Sequence, residues 1–288
     1  MDSYRINHAR VGRAFSSSAV SYDEHAVLQR EIGDRLLAHI TCSNIAPSRI
    51  LDVGSGTGYF THLLHQHYKK ADVTAVDIAQ AMLYYARAKR RIRMPWHGMR
   101  HYAAADACAL PFADASFDLV CSNLALQWVA RPALMLTEMR RVLAPDGLMV
   151  FSTFGRRTLC ELRHALAHIE RDQGGLIVPF PDVMAMGNAL AELPIEVPVV
   201  DSDLFTLTYP NTMALVRELK GLGASSSAIE GRPAGLYGRR LLRELTTYYE
   251  THYAASDGRI HATFEALYAQ AWFKEAPFSI DIPIHVHG

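Results

Sequence analysis

An imbalance of charge is missing from this 288-residue chain: 29 Lys and Arg face 29 Asp and Glu, so the formal net charge is zero. A domain that grips nucleic acid through its phosphates carries a basic excess, and neutrality argues against that class. Cysteine is scarce, four in all at positions 42, 108, 121 and 160, with no C-x-x-C pair. That excludes a disulfide scaffold and a zinc knuckle and points to free thiols in a reducing cytoplasm. No apolar run reaches 18 residues, so neither a membrane span nor a membrane partner is expected. The first fifteen residues lack the apolar stretch of a secretory signal. Their arginines and serines would also suit a transit peptide, but an ordinary leading helix is the preferred reading. Internal repeats and low-complexity tracts are absent. What remains, 50% hydrophobic and 20% charged, is the composition of a globular protein with a substantial core.

Ala26, Val27, Ile32, Leu36, Leu37 and Ile40 recur at roughly helical spacing, so residues 1–45 read as a helical cap. Beyond Pro47, short apolar runs alternate with helical patterns. Strands are predicted over 49–53, 72–76, 99–104, 117–122 and 148–154, with helices running to His67 and over 80–90 and 132–143. Ala144-Pro145-Asp146-Gly147 reads as a turn. This alternation predicts an α/β fold, a doubly wound, Rossmann-like, seven-stranded and mostly parallel sheet buried on both faces. Residues 158–169, 182–192, 211–222 and 236–250 read as helices, and 174–181 as a loop. Residues 195–209 read as a strand pair or one long strand, 260–273 contain a further strand, and Pro277–Gly288 has β character. The expected division is a cap (1–45), a Rossmann-like core (46–155) and a sheet-completing part with helical lid insertions on the substrate side (156–288), all in one domain.

The sharpest local signal is Leu51-Asp52-Val53-Gly54-Ser55-Gly56-Thr57-Gly58, placed between a strand and a helix. Glycines there permit a tight turn and a close approach of backbone to ligand. The dinucleotide pattern G-x-G-x-x-G would need glycine at 59, where Tyr59 stands. The spacing 54, 56, 58, with an acid two residues before, resembles motif I of class I S-adenosylmethionine (SAM) methyltransferases. Context strengthens it. The next strand ends at Asp77, placed to hydrogen-bond both ribose hydroxyls. The third leads to Asp106, which that superfamily sets on the adenine amino group; a helix N-cap is the plainer alternative. The resemblance therefore implies SAM as cofactor, S-adenosylhomocysteine as product, and cofactor contacts at Asp52, Gly54, Ser55, Gly56, Gly58, Asp77, Ile78, Asp106 and Ala107.

Other segments are more specific. Val11-Gly12-Arg13-Ala14-Phe15, Ala19 to Ala26 with Leu28-Gln29, Ser122-Asn123-Leu124-Ala125-Leu126-Gln127-Trp128, Phe151 to Phe154 with Leu159 and Glu161-Leu162, Leu219-Lys220-Gly221-Leu222-Gly223-Ala224, and Gly231-Arg232 all match one pattern. Across roughly residues 10–273 the chain resembles the malonyl-[acyl-carrier protein] O-methyltransferases, the early biotin-synthesis family called BioC. The resemblance implies methyl transfer from SAM to the free carboxylate of malonyl-acyl carrier protein, or of malonyl-CoA. The ester hides a charge that is costly to bury, so the chain can be elongated toward pimeloyl. It further implies Tyr22 and Asn123 as the catalytic pair, with Asn123, Gln127 and Trp128 lining the cofactor. No base constellation is evident, and none is needed, because a carboxylate is ionised at neutral pH. An anionic acceptor calls for a cation, with Arg156, Arg157, Lys220 and Arg232 as candidates. Tyr22 and Trp128 as plain packing residues remain the alternatives.

Three other readings compete. A quinone-type or aconitate-type methyltransferase would lack the Leu-Lys-Gly-Leu-Gly-Ala segment, and a nucleic-acid methyltransferase would want an Asn/Asp-Pro-Pro-aromatic motif after the fourth strand. A non-catalytic SAM-binding module is disfavoured by the intact cofactor acids. Among fourteen histidines no metal motif is found, and His62, His65 and His67 read as a solvated helix face. Met82, Met94, Met99 and Met135 read as core filler. Neutrality is also uneven. Arg87, Lys89, Arg90, Arg91, Arg93 and Arg100 lie in an acid-free stretch. Residues 212–243 carry Arg217, Lys220, Arg232, Arg239, Arg240 and Arg243 against Glu218 and Glu230, a net of +4 suited to an acidic carrier protein.

Overall fold

The central apolar runs pair side by side as strands covered on both faces, whereas the two edge strands, residues 100–104 and 196–209, are largely half-buried or exposed. The expected burial on both faces therefore holds for the centre of the sheet and not for its edges. The structure is a computed structural model and describes residues 7–89, 98–169, 180–222 and 237–273. Strands β1 (Arg49–Val53), β2 (Asp72–Asp77), β3 (Arg100–Ala104), β4 (Phe117–Asn123), β5 (Leu143–Phe154), β6 (Glu196–Tyr209) and β7 (Ile260–Trp272) form one sheet in the order β3-β2-β1-β4-β5-β7-β6. β1 to β5 are parallel, and β7 runs antiparallel between β5 and β6. The order reverses between β1 and β4, and ligands bind at the carboxyl ends of strands at such a switch point.

Among the described residues ten α-helices accompany the strands: α1 (His8–Ser18), α2 (Tyr22–His25), α3 (Val27–Cys42), α4 (Tyr59–His67), α5 (Gln80–Ala88), α6 (Pro132–Val142), α7 (Cys160–Ile169), α8 (Val183–Ala191), α9 (Thr212–Gly221) and α10 (Tyr237–Tyr253). One apolar cluster packs α3, α4, α7, α9 and α10 on the sheet through Ile32, Leu64, Ala165, Leu215 and Tyr249. A second packs α6 and α8 through Met135, Met139, Met186 and Leu190. A third is small: Ala19, Ala79 and Met82, with Phe15 and Tyr22 against them, fastens the N-terminal helices to α5.

Several local expectations change. The N-terminal cap is three helices rather than one stretch, broken around Ala19–Ser21 and again at Ala26. Val27 is 64% exposed and Leu28 takes its place in the core, because α3 begins there and sets its own phase. β5 starts five residues early. Its pairing jumps from Phe117↔Leu143 to Leu119↔Leu148, so the predicted turn is bulged out inside the strand. The Asp146 N–H donates to the Phe273 carbonyl at 2.7 Å, which holds the bulge to the end of β7. Residues 196–209 form one edge strand, paired along β7.

Met82 and Met135 are core, but Met99 is 41% exposed. His65 is buried with its Nε2 3.0 Å from the Gly98 carbonyl, so that helix face is not simply solvated. Met94, Arg90, Arg91, Arg93, Arg232 and Pro277–Gly288 lie outside the described residues. Among the described residues no helix is long and apolar enough to cross a membrane, and no group of three His, Cys, Asp or Glu gathers as a metal site.

Candidate active site

The chain leaves β1 at a fully buried Val53 and must turn at once into α4. Gly54 does this at φ +75°, where a residue with a Cβ is strained. Its N–H and that of Ser55 donate to the Val76 carbonyl at 2.7 and 3.0 Å, fastening the loop to β2. A Cβ on Gly54 would collide with that of Ala125, in the segment after β4. One on Gly58 would lie 2.7 Å from the Ala86 Cβ of α5, whereas Gly56 faces open space. The loop is therefore packed on two sides and open on the third.

Two cavities occupy that open side. The first, about 760 Å³ including its open mouth, runs past Asp77, Ile78, Asp106 and Ala107 between apolar walls such as Met82 and Trp128. Asp77 shapes the loop and faces the cavity. It accepts from Gly56 N at 2.8 Å and from Ala79 N at 2.7 Å. Burial raises its pKa, and the two amide bonds only partly offset that. Each oxygen keeps a lone pair for a ligand hydroxyl. Asp106 accepts from Cys108 N at 2.8 Å, so the capping alternative takes the form of a local turn on a residue that also lines the cavity.

The second cavity, about 470 Å³, is polar. Three of its lining residues carry buried polar atoms without a hydrogen-bond partner: Gln29 Oε1, Asp52 Oδ1 and Ser55 Oγ. Such orphans are costly, and three around one space indicate a polar ligand. Asp52 Oδ2 accepts from Thr61 Oγ1 at 2.6 Å, and burial pushes the carboxyl up to about 7. Arg30 is the only cation lining either cavity among the described residues. Its Nη1 donates to the Asp23 carbonyl at 2.6 Å. A long apolar cavity edged by carboxylates suits an adenosine, and a small one with a carboxylate and a guanidinium suits an amino-acid end.

Tyr22, Gly54, Gly56 and Asn123 line both cavities and mark their junction. The Tyr22 ring is half-buried, edge-on to Phe15 at 6.3 Å. Burial first, then the charges of Asp77 and Asp23, push its phenol up, so it stays a protonated donor. Asp23 fastens its short helix. Thr57 Oγ1 donates to Asp23 Oδ1 at 2.6 Å, and Lys89 Nζ donates to Oδ2. Burial raises the Asp23 pKa, but the Lys89 and Thr57 bonds outweigh it and leave the carboxyl lowered.

A cation against Asp52 would favour its ionised form. Ligand binding at pH 6 is then expected to release a proton, and affinity to rise as pH passes through about 7. Calorimetry in two buffers of different ionisation heat checks this; equal heats would refute the contact. The folded value lies above the ordinary 3.8, so protonated Asp52 stabilises the ligand-free fold and that contribution fades from about pH 4 to 7.

The other sequence-derived positions divide. Trp128 lines the first cavity, edge-on to Phe15 at 5.4 Å. Asn123 donates from Nδ2 to the Gln29 carbonyl at 3.0 Å and accepts from Ser152 Oγ at 2.7 Å, tying α3 to β4 and β5 beside the cavities. Gln127 lines neither cavity. It donates to the Leu124 carbonyl at 2.7 Å and accepts from Thr153 Oγ1 at 3.1 Å, buried behind the wall. Gly58 is likewise behind it. Arg156, Arg157 and Lys220 are exposed and line neither cavity, and Arg156 stands 3.7 Å from Asp182. Arg30, Gln29 and the Asp23–Lys89 pair are the residues that sequence reading missed. Arg30 sits among polar neighbours at the start of a helix, which from sequence reads as a solvated face.

The profile of a methyltransferase domain matches residues 51–151. The YcgJ protein of Bacillus subtilis superposes with a TM-score of 0.58 at 16% identity, over 84% of this chain and 98% of that one. The phosphoethanolamine N-methyltransferase 2 of Haemonchus contortus, in complex with S-adenosyl-L-methionine, superposes with a TM-score of 0.54 at 16% identity, over 90% of this chain and 57% of that one. At such identity the likeness carries the fold alone. Fold, glycine loop and acidic strand ends together define the class: a SAM-dependent methyltransferase. A malonyl-[acyl-carrier protein] O-methyltransferase of Halorhodospira halophila is 42% identical over 292 residues, covering 100% of this chain and 97% of its own length. One of Methylovorus sp. is 40% identical over 278 residues, 96% and 92% of the two chains. The chain belongs to the malonyl-[acyl-carrier protein] O-methyltransferase family.

Proposed function

We propose that the chain methylates the free carboxylate of malonyl-acyl carrier protein, giving the malonyl methyl ester at an early step of biotin synthesis. The observation that carries this is the junction at Tyr22 between an apolar, carboxylate-edged cavity and a polar cavity with three orphaned buried atoms. The residues present fit SAM. Asp77 would hold the ribose, Asp106 and Ala107 the adenine edge, and Asp52, Gln29, Ser55 and Arg30 the amino-acid end. When bound, it supplies a methyl group activated on a sulfonium.

The chain's own residues then position and desolvate. Tyr22, a protonated donor at the junction, orients the acceptor carboxylate by hydrogen bonding. Asn123 holds α3 in place so that the wall keeps its shape. No proton need be removed, because the acceptor carboxylate is ionised at neutral pH. With Arg30 placed at the amino-acid end, no cation among the described residues lines the junction to pair with the acceptor carboxylate, which Tyr22 would hold by its hydroxyl. Arg217, Lys220 and Arg243, exposed on α9 and α10, would steer an acidic carrier protein. In this division the cap (1–45) closes the chamber, the core (46–155) holds the cofactor and the lid (156–288) receives the carrier. The reaction belongs in the cytosol, where the four cysteines stay reduced.

Mass spectrometry after incubation with SAM tests the reading. Malonyl-carrier protein is expected to gain one methyl group, and malonyl-CoA to gain it more slowly for want of a carrier surface. No methyl ester on either thioester overturns it.

A further inference from the structure

Gly221 ends α9 without a positive φ, so nothing in its backbone calls for glycine. Alanine would favour the helix over glycine at this position. A spatial reason is present instead. A Cβ at Gly221 would overlap the imidazole of His25, 2.8 Å from Nε2 and 2.9 Å from Cγ. His25 closes α2, a four-residue helix none of whose residues is fully buried. A single turn with no core of its own cannot hold its position. α2 is held from outside: by Tyr22 against Ala19, Ala79 and Met82, by Thr57 and Lys89 on the Asp23 carboxylate, by Arg30 on the Asp23 carbonyl, and by α9 at Gly221. The first residue of α2 is Tyr22.

We propose that Gly221 is a positioning residue for Tyr22: the bare backbone of the last turn of α9 seats His25, and α2 so placed sets the Tyr22 ring at the junction of the two cavities. This rests on the reading of Tyr22 as the acceptor-orienting group. The same helix presents Arg217 and Lys220 to solvent. The element that meets an acidic carrier therefore also touches the turn that bears the tyrosine, and docking and chemistry share one rigid part. This assigns a task to the Leu219-Lys220-Gly221-Leu222 segment, which lines neither cavity.

The test compares Gly221→Ala, His25→Ala and the double variant, with Tyr22→Phe setting the scale. Malonyl-carrier protein and SAM are the substrates. Gly221→Ala is expected to lower kcat about 10- to 100-fold, since a misplacement near 1 Å costs about that much. SAM affinity should stay within about threefold, and the melting temperature should not fall, because alanine favours the helix. Adding His25→Ala should bring kcat back to that of His25→Ala alone, which no general loss of fold would do. The Tyr22 ring resonance in tyrosine-labelled protein, assigned by its loss in Tyr22→Phe, should shift in Gly221→Ala and in the double variant match that of His25→Ala alone. An unmoved resonance with unchanged kcat in Gly221→Ala, or a double variant slower than His25→Ala alone, overturns the proposal. Should the wild type form no ester, the functional reading fails, and the resonance still decides the role of Gly221.

Discussion

Asp77→Ala is expected to weaken SAM binding by at least about 100-fold, measured by titration calorimetry. Two hydrogen bonds from ribose hydroxyls to a carboxylate are each worth about 1.5–3 kcal/mol, and 1.4 kcal/mol is tenfold in affinity. The substitution also strips the Gly56 and Ala79 amides of their acceptors, at 2.8 and 2.7 Å, so the loop loses its anchor along with the ligand contact. Asp77→Asn separates the two effects. Its amide oxygen still accepts from one backbone amide, so the fold should melt near the wild-type temperature while affinity stays low. Wild-type affinity in Asp77→Ala would remove Asp77 from the cofactor site.

Gly54→Val should abolish cofactor binding and lower thermal stability as well. The residue sits at φ +75°, and a β-branched side chain there costs about 1–3 kcal/mol. Its Cβ would also lie far inside contact distance of the Ala125 Cβ. Ala125 cannot retreat easily, because its carbonyl accepts from Trp128 N at 3.0 Å and the preceding Leu124 N donates to Ser152 Oγ at 3.1 Å. The displaced segment carries Trp128, a wall of the first cavity. A fall in melting temperature of roughly 5–10 °C is expected for a loss of this size. Gly56→Ala is the contrast: its φ of +54° is also positive, but open space surrounds it. It should melt closer to the wild type and still obstruct binding. Wild-type affinity in Gly54→Val would show that the loop yields more than its contacts suggest.

The central strands were legible because burial on both faces forces near-continuous apolar runs, as in the Leu-Met-Val-Phe run at 148–151 of β5. The boundary of β5 was not. A turn tetrapeptide looks the same whether it ends a strand or bulges from one, and only the Phe273 contact across the sheet distinguishes them. The glycine loop and Asp77 were legible because chain reversal and cofactor geometry are local: both lie at the ends of adjacent strands. Gln127 was assigned to the cavity by its nearness in sequence to Trp128. The tight turn after β4 points them in different directions, one to Thr153 and one to Phe15.

The sequence alone determined the class of fold, the glycine loop and the acids at two strand ends, because each is written in a short stretch read by local rules. Its neutral charge excluded a broad basic surface but said nothing of where single charges go. Only the tertiary structure decided that Lys89 is spent on Asp23, 66 residues away, and that Arg30 reaches a cavity that Arg156, Arg157 and Lys220 do not line. It alone set Gly221 against His25. Charge pairing and steric fit depend on distance in space, and a chain that crosses the sheet several times brings together residues whose separation along the sequence carries no trace of their contact.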